Sequence, residues 1–401
     1  MVLLFQFCLI KKLQLTNDKK LFMLENLKIG ILGGGQLGAM LVRSAIDFGL
    51  DIAILEKDSS APCARFVNKF TCGDPMDYET VLAFGSGMDI VTIEKEAVNV
   101  NALKDLEKSG VKVYPSPDII GIIQDKYLQK KFLQTNGIPV VPGIPVLNRY
   151  DLRNHLNILP GCLKKCTNGY DGKGVMIIRS EADIDQAFDE SCVLEELVDI
   201  KHEISVIVSR NESGAIECYD PVLMVFNKDR MILDFQICPA NLDMDVAMEA
   251  CNLAIKTAQA LNLTGIVAVE MFVATDGKLY VNELAPRPHN SGHHTIEAST
   301  TSQFEQQTRL ILGLPMGSTK LNKASVMINI LEPAAYRKSA MGDALKTILS
   351  TTDAHLHWYG KKDGTEGRKM GHVTIVETNI ENALSKAVII RHLLKEGYEE
   401  K

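Results

Sequence analysis

Short apolar runs separated by an amphipathic stretch open the chain after residue 28. The apolar run 29–32 is followed by a glycine-rich turn at 33–38, by apolar residues at helical spacing, and then by a second apolar run at 51–55. This order of strand, loop, helix and strand is typical of the start of a doubly wound parallel sheet. Two further apolar runs, 89–93 and 111–114, predict that the sheet continues. We therefore predict an α/β domain at the N-terminus.

The pattern then changes to longer helices and paired strands. A Pro-Ser-Pro-Asp turn at 115–118 predicts a helix start, because proline is favoured in the first turn of a helix. The helix is predicted to end at about residue 134. Beyond it we predict two strands flanking a glycine-rich loop, two more strands, a helix and a hairpin, at 162–179, 192–208, 243–261 and 266–283.

These patterns divide the chain into four segments. Residues 1–22 are an extension, 23–116 the N-terminal α/β domain, 117–317 a central domain, and 318–401 a small β-rich domain of short strands and glycine-rich turns. The apolar start lacks the basic segment and cleavage site of a signal peptide, and Met23 is an alternative start. No stretch approaches the ~18 apolar residues of a membrane helix, so we expect a cytoplasmic protein without a membrane partner.

Composition narrows the classes of partner. The chain has 401 residues, of which 46% are hydrophobic and 23% charged, as in a globular protein of about two to three domains. Its 43 Lys and Arg against 50 Asp and Glu give a net charge of -7 without any basic run, so we expect no nucleic-acid partner. Nine cysteines without a C-x-x-C pair argue against a thiolate zinc site and favour a reducing compartment.

The glycine-rich turn fits the G-x-G-x-x-G fingerprint of dinucleotide-binding domains. Gly33, Gly35 and Gly38 let the backbone turn tightly before a helix start that can hold an anion, and Glu56 lies about where a ribose-binding acid would. An oxidoreductase that uses NAD or a flavin is therefore one candidate. The same turn can instead hold another phosphate or only allow close packing, and Gln36 can face a ligand or the solvent.

Two glutamates face each other across a predicted β-hairpin. Asp276-Gly277 is a strong two-residue hairpin turn, and it places Glu270 directly opposite Glu283 on one face of the sheet. Like charges in this arrangement destabilise a sheet, and a divalent cation between them is a natural compensation. Oxygen ligands, with Asn282 nearby, select Mg²⁺ or Mn²⁺. Alternatively the glutamates splay into solvent, or a longer turn shifts the register.

Basic side chains and a second glycine-rich loop indicate a site for phosphates. Arg287 directly follows the acidic strand and is well placed for a phosphate or carboxylate. Lys126 and Lys164 are candidate phosphate ligands or solvated surface, and the loop 167–174 can close over phosphates and exclude water. Three histidines between residues 289 and 294 suggest zinc, but the prolines and glycine around them favour an irregular substrate loop.

Four segments taken together resemble one enzyme family. They are G-G-G-Q-L-G at 33–38, G-Y-D-G-K-G at 169–174, N-E-L-A-P-R-P-H-N-S-G-H at 282–293, and H-L-H-W-Y-G-K at 355–361 with G-R-K-M-G-H at 367–372. In this order they are similar to the 5-(carboxyamino)imidazole ribonucleotide synthases, ATP-grasp enzymes of purine biosynthesis. The resemblance extends from about residue 27 to residue 390.

The resemblance implies a fold and a reaction. The fold is an N-terminal α/β domain, a central ATP-grasp domain and a small C-terminal β-rich domain. The enzyme is a carbon–nitrogen ligase in which ATP phosphorylates bicarbonate to carboxyphosphate, and the carboxyl group passes to the amine of 5-aminoimidazole ribonucleotide. ADP and phosphate leave, Mg²⁺ or Mn²⁺ is the metal, and a homodimer with small-molecule substrates is expected.

Site residues follow from the resemblance position by position. The metal ligands would be Glu270 and Glu283, and the catalytic residues would be Tyr170, Asp171 and Arg287, with Asp171 positioning or deprotonating the substrate amine. ATP would contact Lys126, Lys164, Gly169, Gly172, Lys173, Gly174, Glu195, Glu196, Leu197, Val198, Glu203, Asn282 and Glu283. The other substrates would contact Gln36, Leu37, Glu94, His289, Asn290, Lys361 and Arg368, the last two at the ribonucleotide phosphate.

Three other functions remain open at this point. A formate-using ATP-grasp transformylase shares the Pro-Arg-Pro-His segment 286–289 but does not predict the segments 357–359 and 367–369. An oxidoreductase predicts bound NAD or flavin. A non-catalytic nucleotide-binding subunit is disfavoured, because the two facing glutamates, Lys164 and Arg287 are all intact.

Overall fold

The computed structural model describes residues 26–167, 169, 174–227, 232–332, 338–362 and 367–396. The predicted extension 1–22 and the predicted site residues Tyr170, Asp171, Gly172 and Lys173 lie outside the described residues. In the part of the chain that is described, the strands form three sheets. No helix in that part is long and apolar enough to cross a membrane.

The first sheet is the predicted doubly wound sheet. Its strands are parallel in the order β3-β2-β1-β4-β5. They are β1 Ile29–Leu32, β2 Ile52–Glu56, β3 Lys69–Cys72, β4 Ile90–Ile93 and β5 Lys112–Tyr114. The helix Gln36–Ile46 covers one face, and the helices Tyr78–Gly85 and Val100–Lys108 cover the other. Strands β1, β2 and β4 are therefore buried throughout, as expected for a sheet with helices on both faces.

Two helices, instead of the single predicted helix, follow this sheet. They span Pro117–Gln124 and Lys126–Thr135, and Asp125 between them has an extended backbone with φ -115° and ψ 115°. The Asp125 carboxylate accepts hydrogen bonds from the backbone N–H groups of Tyr127 and Leu128, so it caps the second helix. The prediction of one continuous helix was wrong, and Lys126 lies in the first turn of the second helix.

The second sheet is antiparallel and has the order β6-β9-β7-β8. Its strands are β6 Gly143–Val146, β7 Gly161–Lys165, β8 Val175–Ile178 and β9 Cys192–Glu196. Strands β7 and β8 flank the second glycine-rich loop, as predicted. Leu163 and Leu194 are buried in the core on one face of this sheet. Since side chains alternate along a strand, their neighbours Lys164 and Glu195 lie on the opposite face.

The third sheet is the largest. Its order is β15-β14-β10-β12-β13-β16-β18-β17, and β11 pairs with β10. Its first six strands are β10 Ile200–Arg210, β11 Ile216–Cys218, β12 Val222–Asn227, β13 Ile232–Cys238, β14 Gly265–Ala274 and β15 Leu279–Ala285. The helix Met244–Ala260, at its predicted position, packs its small residues Ala250, Ala254 and Ala258 against this sheet.

The C-terminal strands extend the third sheet instead of forming a separate one. They are β16 Ala324–Leu331, β17 Ala354–Trp358 and β18 Lys369–Glu377, and β16 pairs with β13. The helices Lys338–Ser350 and Ile380–Glu396 pack on these strands, and the sequence patterns did not predict them. The exact boundary at residues 317 and 318 stays a prediction.

The helix Gln303–Ile311, which follows the short helix Thr295–Ala298, joins the N-terminal domain to the rest of the molecule. Its Phe304 is buried in the same core as Ile31 and Met40 from the first sheet and its helix, and Tyr359 from the C-terminal part lies there too. Because one core includes side chains from all three parts, the site residues that they carry are held in a fixed relation.

Candidate active site

The acidic hairpin has a longer turn than predicted. Ala274 lies opposite Lys278, and its N–H donates to the Lys278 carbonyl at 2.8 Å. Thr275, Asp276 and Gly277 make a three-residue turn in which Gly277 adopts φ +84°, a conformation that glycine reaches without steric cost. The predicted two-residue turn was therefore wrong, and the pairing near the turn is shifted by one residue.

A β-bulge at Asn282 compensates for this shift before the strands reach the glutamates. Val281 pairs with Met271, whereas Glu283 pairs with Glu270, so Asn282 is the extra residue of β15. Val281 is buried, while Asn282 and Glu283 are consecutive half-buried residues that both line the cleft. The structure thus places Glu270 opposite Glu283, as the hairpin argument predicted.

The two facing carboxylates have unequal surroundings. Lys126 Nζ lies 2.7 Å from Glu283 Oε1, whereas the nearest ring nitrogen of His289 is 3.4 Å from Glu270 Oε1. Burial, together with the carboxylates of Glu283 and Glu203, raises the pKa of Glu270 to about 8. Burial and neighbouring cations lower the pKa of His289 well below its usual value, so that imidazole is neutral. Binding of a proton or a cation to the Glu270 carboxylate is therefore favourable.

Two lysines share one buried carboxylate on the wall of the same cleft. Lys164 and Lys130 each place Nζ 2.7 Å from an oxygen of Glu195. Burial alone would raise the pKa of Glu195, but the two ammonium groups outweigh burial and lower it. Lys164 also donates to Asn282 Oδ1 at 2.8 Å. This hydrogen bond connects the second sheet to the acidic hairpin across the cleft.

The cleft combines apolar and charged walls. Leu133, Val140, Val175 and Val281 contribute apolar surface that suits a flat aromatic ring. The lysines of the cleft suit phosphate oxygens. The residues that line it are Lys126, Gln129, Lys130, Leu133, Val140, Lys164, Val175, Glu195, Val281, Asn282 and Glu283.

The segment after β15 forms the predicted irregular loop. Arg287 Nη2 lies 2.9 Å from Glu96 Oε2, and Arg287 Nη1 donates to the Pro288 carbonyl at 3.0 Å. Both amide atoms of Asn290 are buried without a hydrogen-bond partner among the described residues. Buried polar atoms are rarely left unpaired in proteins, so this loop has hydrogen-bonding capacity for a polar ligand.

The N-terminal glycine-rich turn packs against carboxylates of its own domain. The Gly34 N–H donates to Glu56 Oε2 at 3.0 Å, and Lys95 Nζ lies 2.8 Å from the same oxygen. Glu94 lies so close to the turn that a Cβ on Gly33 would be 2.6 Å from its carboxylate. Glu56, the candidate ribose-binding acid, is thus engaged by the turn itself, which argues against a dinucleotide site.

A second cavity lies where the N-terminal and C-terminal parts meet. Its only acidic lining residue among the described residues, Asp58, accepts hydrogen bonds from the Ser60 N–H and Oγ at 2.8 and 2.7 Å. Beside it, the Arg65 guanidinium donates to the Gly360 carbonyl and ties the two parts together. Three cations in one cavity suit a phosphate group. The lining residues are Asp58, Ser60, Pro62, Lys361, Lys362 and Arg368.

Three domain families match the chain in succession. Residues 26–124 match the ribonucleotide synthetase preATP-grasp domain, and residues 131–304 match the ATP-grasp domain. Residues 325–386 match the phosphoribosylaminoimidazole carboxylase C-terminal domain. The order of the three matches is the order of domains that the sequence predicted.

Relatives match nearly the whole chain. The N5-carboxyaminoimidazole ribonucleotide synthase of Bacillus subtilis is 37% identical over 359 residues, which cover 87% of this chain and 91% of that protein. The chain belongs to the N5-carboxyaminoimidazole ribonucleotide synthase family. The Brucella melitensis member of this family is 37% identical over 357 residues, which cover 87% of this chain and 96% of that protein. The family resemblance predicted from the four sequence segments is confirmed.

Solved structures of this synthase family have the same fold. The Thermotoga maritima synthetase aligns with a TM-score of 0.82 and 37% identity, over 92% of this chain and 98% of that chain. The Aspergillus clavatus synthase in complex with ADP and 5-aminoimidazole ribonucleotide aligns with a TM-score of 0.85 and 31% identity, over 93% and 99%. The predicted ATP-grasp fold is confirmed, and the transformylase and oxidoreductase alternatives are not favoured.

Eight of the twenty predicted site residues within the described part of the chain line one of the two cavities or pair with a residue that does. Lys126, Lys164, Glu195, Asn282 and Glu283 line the first cavity, with Glu270 paired to Glu283. Lys361 and Arg368 line the second cavity. Their roles in binding stay predictions. The other predicted site residues in the described part of the chain line neither of these two cavities. They are Gln36, Leu37, Glu94, Gly169, Gly174, Glu196, Leu197, Val198, Glu203, Arg287, His289 and Asn290.

Sequence reasoning missed three charged residues of these sites. Lys130 lies four residues after Lys126, so helical spacing would have placed both on one face. Lys362 lies next to Lys361 at the second cavity. Glu96 was given no role, because its partner Arg287 is 191 residues away in the chain and no local pattern pairs the two.

Proposed function

We propose that this protein carboxylates 5-aminoimidazole ribonucleotide with ATP and bicarbonate, and releases 5-(carboxyamino)imidazole ribonucleotide, ADP and phosphate. The observation that carries the proposal is the facing pair of Glu270 and Glu283 next to Lys126 and Lys164, in a chain of this synthase family. Two carboxylates for a cation and two ammonium groups for phosphates are what ATP-dependent activation of bicarbonate needs.

ATP occupies the first cavity in this proposal. Lys126 and Lys164 hold its phosphates, because acidic partners already direct both ammonium groups into the cleft and a phosphate can replace those partners. Residues 195–198, at the end of β9 and just beyond it, line the adenine, mostly with their backbone. Glu203 accepts hydrogen bonds from the ribose hydroxyls.

The facing glutamates fit a divalent cation. Within the described residues no group of three or more His, Cys, Asp or Glu is arranged for a metal ion. Mg²⁺ needs fewer protein ligands, since it is usually held by one or two carboxylates together with phosphates and water. Glu270 and Glu283 would hold Mg²⁺ or Mn²⁺, and the raised pKa of Glu270 fits a site that lacks compensating charge. Such a cation would offset negative charge on the phosphates.

The first chemical step activates bicarbonate, which is a weak electrophile. A bicarbonate oxygen attacks the γ-phosphorus of ATP, the bond to the β,γ-bridging oxygen breaks, and ADP leaves with carboxyphosphate formed. Arg287, His289 and Asn290 bind this anion. The loop that follows Gly169 closes the site and excludes water, because carboxyphosphate hydrolyses readily.

The second step transfers the carboxyl group. The amine nitrogen of the ribonucleotide attacks the carboxyl carbon, the bond from that carbon to the phosphate oxygen breaks, and the amine loses a proton. Lys361 and Arg368 hold the ribonucleotide phosphate. Asp171 positions the amine or accepts its proton, and full carboxylation with unchanged ATP coupling in Asp171→Asn would reject that role.

ADP release in bicarbonate buffer with Mg²⁺ tests the proposal. We expect release to depend on both 5-aminoimidazole ribonucleotide and bicarbonate, to be lost in Glu283→Gln, and to persist in Glu249→Gln, which alters an exposed glutamate that lines neither cavity. Release that is independent of the ribonucleotide would contradict the proposal. Turnover that requires formate would favour the transformylase instead.

A homodimer and a cytoplasmic location complete the proposal. The first rests on the family resemblance alone, and the second on the apolar pattern and cysteine usage of the sequence. Sedimentation at several concentrations tests the first, and fractionation of cells that produce the protein tests the second. A monomer at micromolar concentration or recovery with membranes would reject the corresponding part.

A further inference from the structure

A carboxylate of the N-terminal domain holds the arginine of the substrate loop. Glu96 lies just beyond β4, at the carboxyl end of the first sheet, and Arg287 lies just beyond β15 of the third sheet. Glu96 Oε2 and Arg287 Nη2 are 2.9 Å apart. The mechanism above uses Arg287 and assigns no role to Glu96.

The Arg287 guanidinium has more donors than the protein uses. Nη2 is paired with Glu96, and Nη1 donates to the Pro288 carbonyl at 3.0 Å. Nε is buried and has no hydrogen-bond partner within the part of the chain that is described. Only 15% of the arginine side chain is exposed, so leaving a donor unpaired is unfavourable. An unpaired donor beside an anchored one indicates a place for an oxygen of an anionic ligand.

The backbone around Glu96 is itself held in place by the side chain of Gln124. Gln124 Nε2 donates to the backbone carbonyls of Glu96 and Val98, at 2.6 and 2.8 Å. The adjacent Lys95 turns to a different partner, with its Nζ 2.8 Å from Glu56 Oε2. The two neighbouring charges therefore have separate functions: Lys95 pairs within its own domain, and Glu96 reaches the substrate loop.

Other carboxylates compete for the same guanidinium. Burial would lower the pKa of Arg287, but Glu96, Glu94 and Glu283 together raise it. An arginine released from Glu96 would be attracted to the remaining carboxylates and would lose the orientation that leaves Nε unpaired.

We infer that Glu96 is a positioning residue that anchors Nη2 of Arg287, so that Nε remains available to carboxyphosphate. This inference rests on the proposed function, because it takes carboxyphosphate as the anion. Glu96 contacts no substrate in this arrangement and acts only through Arg287.

The test compares Glu96→Ala and the isosteric Glu96→Gln with Lys95→Ala, which removes the ion pair of the adjacent residue. We expect Glu96→Ala to raise the KM for bicarbonate about tenfold to a hundredfold, the range for hydrogen bonds to charged groups. Excess ADP should be released per product, since loosely held carboxyphosphate is lost to water. Glu96→Gln should show a smaller effect. Lys95→Ala should behave like the wild type, and the KM for ATP should be the same in all of these proteins. In an Arg287→Lys background, Glu96→Ala should add little.

Three results would overturn the inference. They are a lower kcat with unchanged bicarbonate KM and coupling, full additivity with Arg287→Lys, and equal effects of the Glu96 and Lys95 variants.

Should the wild-type chain lack carboxylation, the proposed function fails, and a separate measurement then decides about Glu96. Inorganic phosphate should protect Arg287 from phenylglyoxal, mapped by mass spectrometry, in the wild type, less in Glu96→Gln and least in Glu96→Ala. Equal protection in all of these proteins, or none, would reject the anchoring role.

Discussion

Individual charged side chains at this site are held by partners that a substrate can replace. Lys126 is ion-paired with Glu283, and Glu195 is held between Lys164 and Lys130. Each pair keeps a long side chain directed at the cleft, and buried charges need such partners to be tolerated. The ammonium groups are therefore in position before ATP binds. Glu270 is the exception, because its environment raises its pKa instead of compensating its charge.

Glu270 should make stability depend on pH in the absence of metal. Its pKa is about 8 in the folded protein against 4.5 for the isolated group, so the folded state binds the proton more tightly. The stabilisation is fully present below about pH 4.5 and is lost as the pH rises through about 8. Urea unfolding in EDTA should show stability falling between these values in the wild type and a flatter profile in Glu270→Gln. Identical profiles would contradict the raised pKa.

At the scale of elements, the hairpin shows where sequence reasoning succeeds and fails. The facing glutamates were predicted from a two-residue turn that does not exist, and the pairing is present because the bulge at Asn282 cancels the shift that the longer turn introduces. Turn length and bulge position depend on packing along the whole strand, which no local pattern contains. Because the bulge brings Asn282 next to Glu283 on the cleft, Lys164 gains its contact with Asn282.

The other differences between prediction and structure also arise because a local sequence pattern does not contain contacts with distant parts of the chain. The parallel sheet was predictable, because buried apolar runs separated by an amphipathic helix have few alternatives. The helix break at Asp125 was missed, since the aspartate acts as a cap only after the chain turns there. Lys130 and Glu96 join their sites through partners distant in sequence, Glu195 and Arg287.

Gly277 should be needed for the stability of the hairpin and not for chemistry. It adopts φ +84° with no atom within 4 Å of a Cβ placed there, so a substitution is strained only through the backbone. Gly277→Ala should lower the free energy of unfolding by about 1–2 kcal/mol, and Gly277→Asn by less, because asparagine tolerates the left-handed conformation. Urea unfolding measures both. Equal loss in the two variants would contradict the turn geometry.

For the molecule as a whole, stacked histidines join the loop of Arg287 to the C-terminal strands. His372 stacks on His293 and on His357, with ring centroids 4.5 Å apart in both pairs. His357 also lies 2.6 Å from Glu297, on the short helix after the loop. Direct side-chain contacts thus join the loop that binds carboxyphosphate in our proposal to the strands beside the second cavity.

Substitution of Arg368 should change the KM for the ribonucleotide without changing the KM for ATP. If Arg368 holds the ribonucleotide phosphate, Arg368→Ala should raise the KM for 5-aminoimidazole ribonucleotide roughly tenfold or more, since it removes a charge-assisted hydrogen bond. The KM for ATP should not change, because Arg368 lines the second cavity and not the first. Lys346→Ala, at an exposed C-terminal helix position, is the control. An equal rise in both KM values would contradict this prediction.

The central claim is that the facing glutamates support the transfer of a carboxyl group from bicarbonate to a ribonucleotide amine. Incubation with ¹³C-bicarbonate, Mg²⁺, ATP and 5-aminoimidazole ribonucleotide, followed by carbon NMR, tests it most directly. We predict one labelled carbamate carbon per ADP in the wild type and none in Glu270→Gln. ADP formation without a labelled carbamate in the wild type, or an equal carbamate yield in Glu270→Gln, would contradict the account.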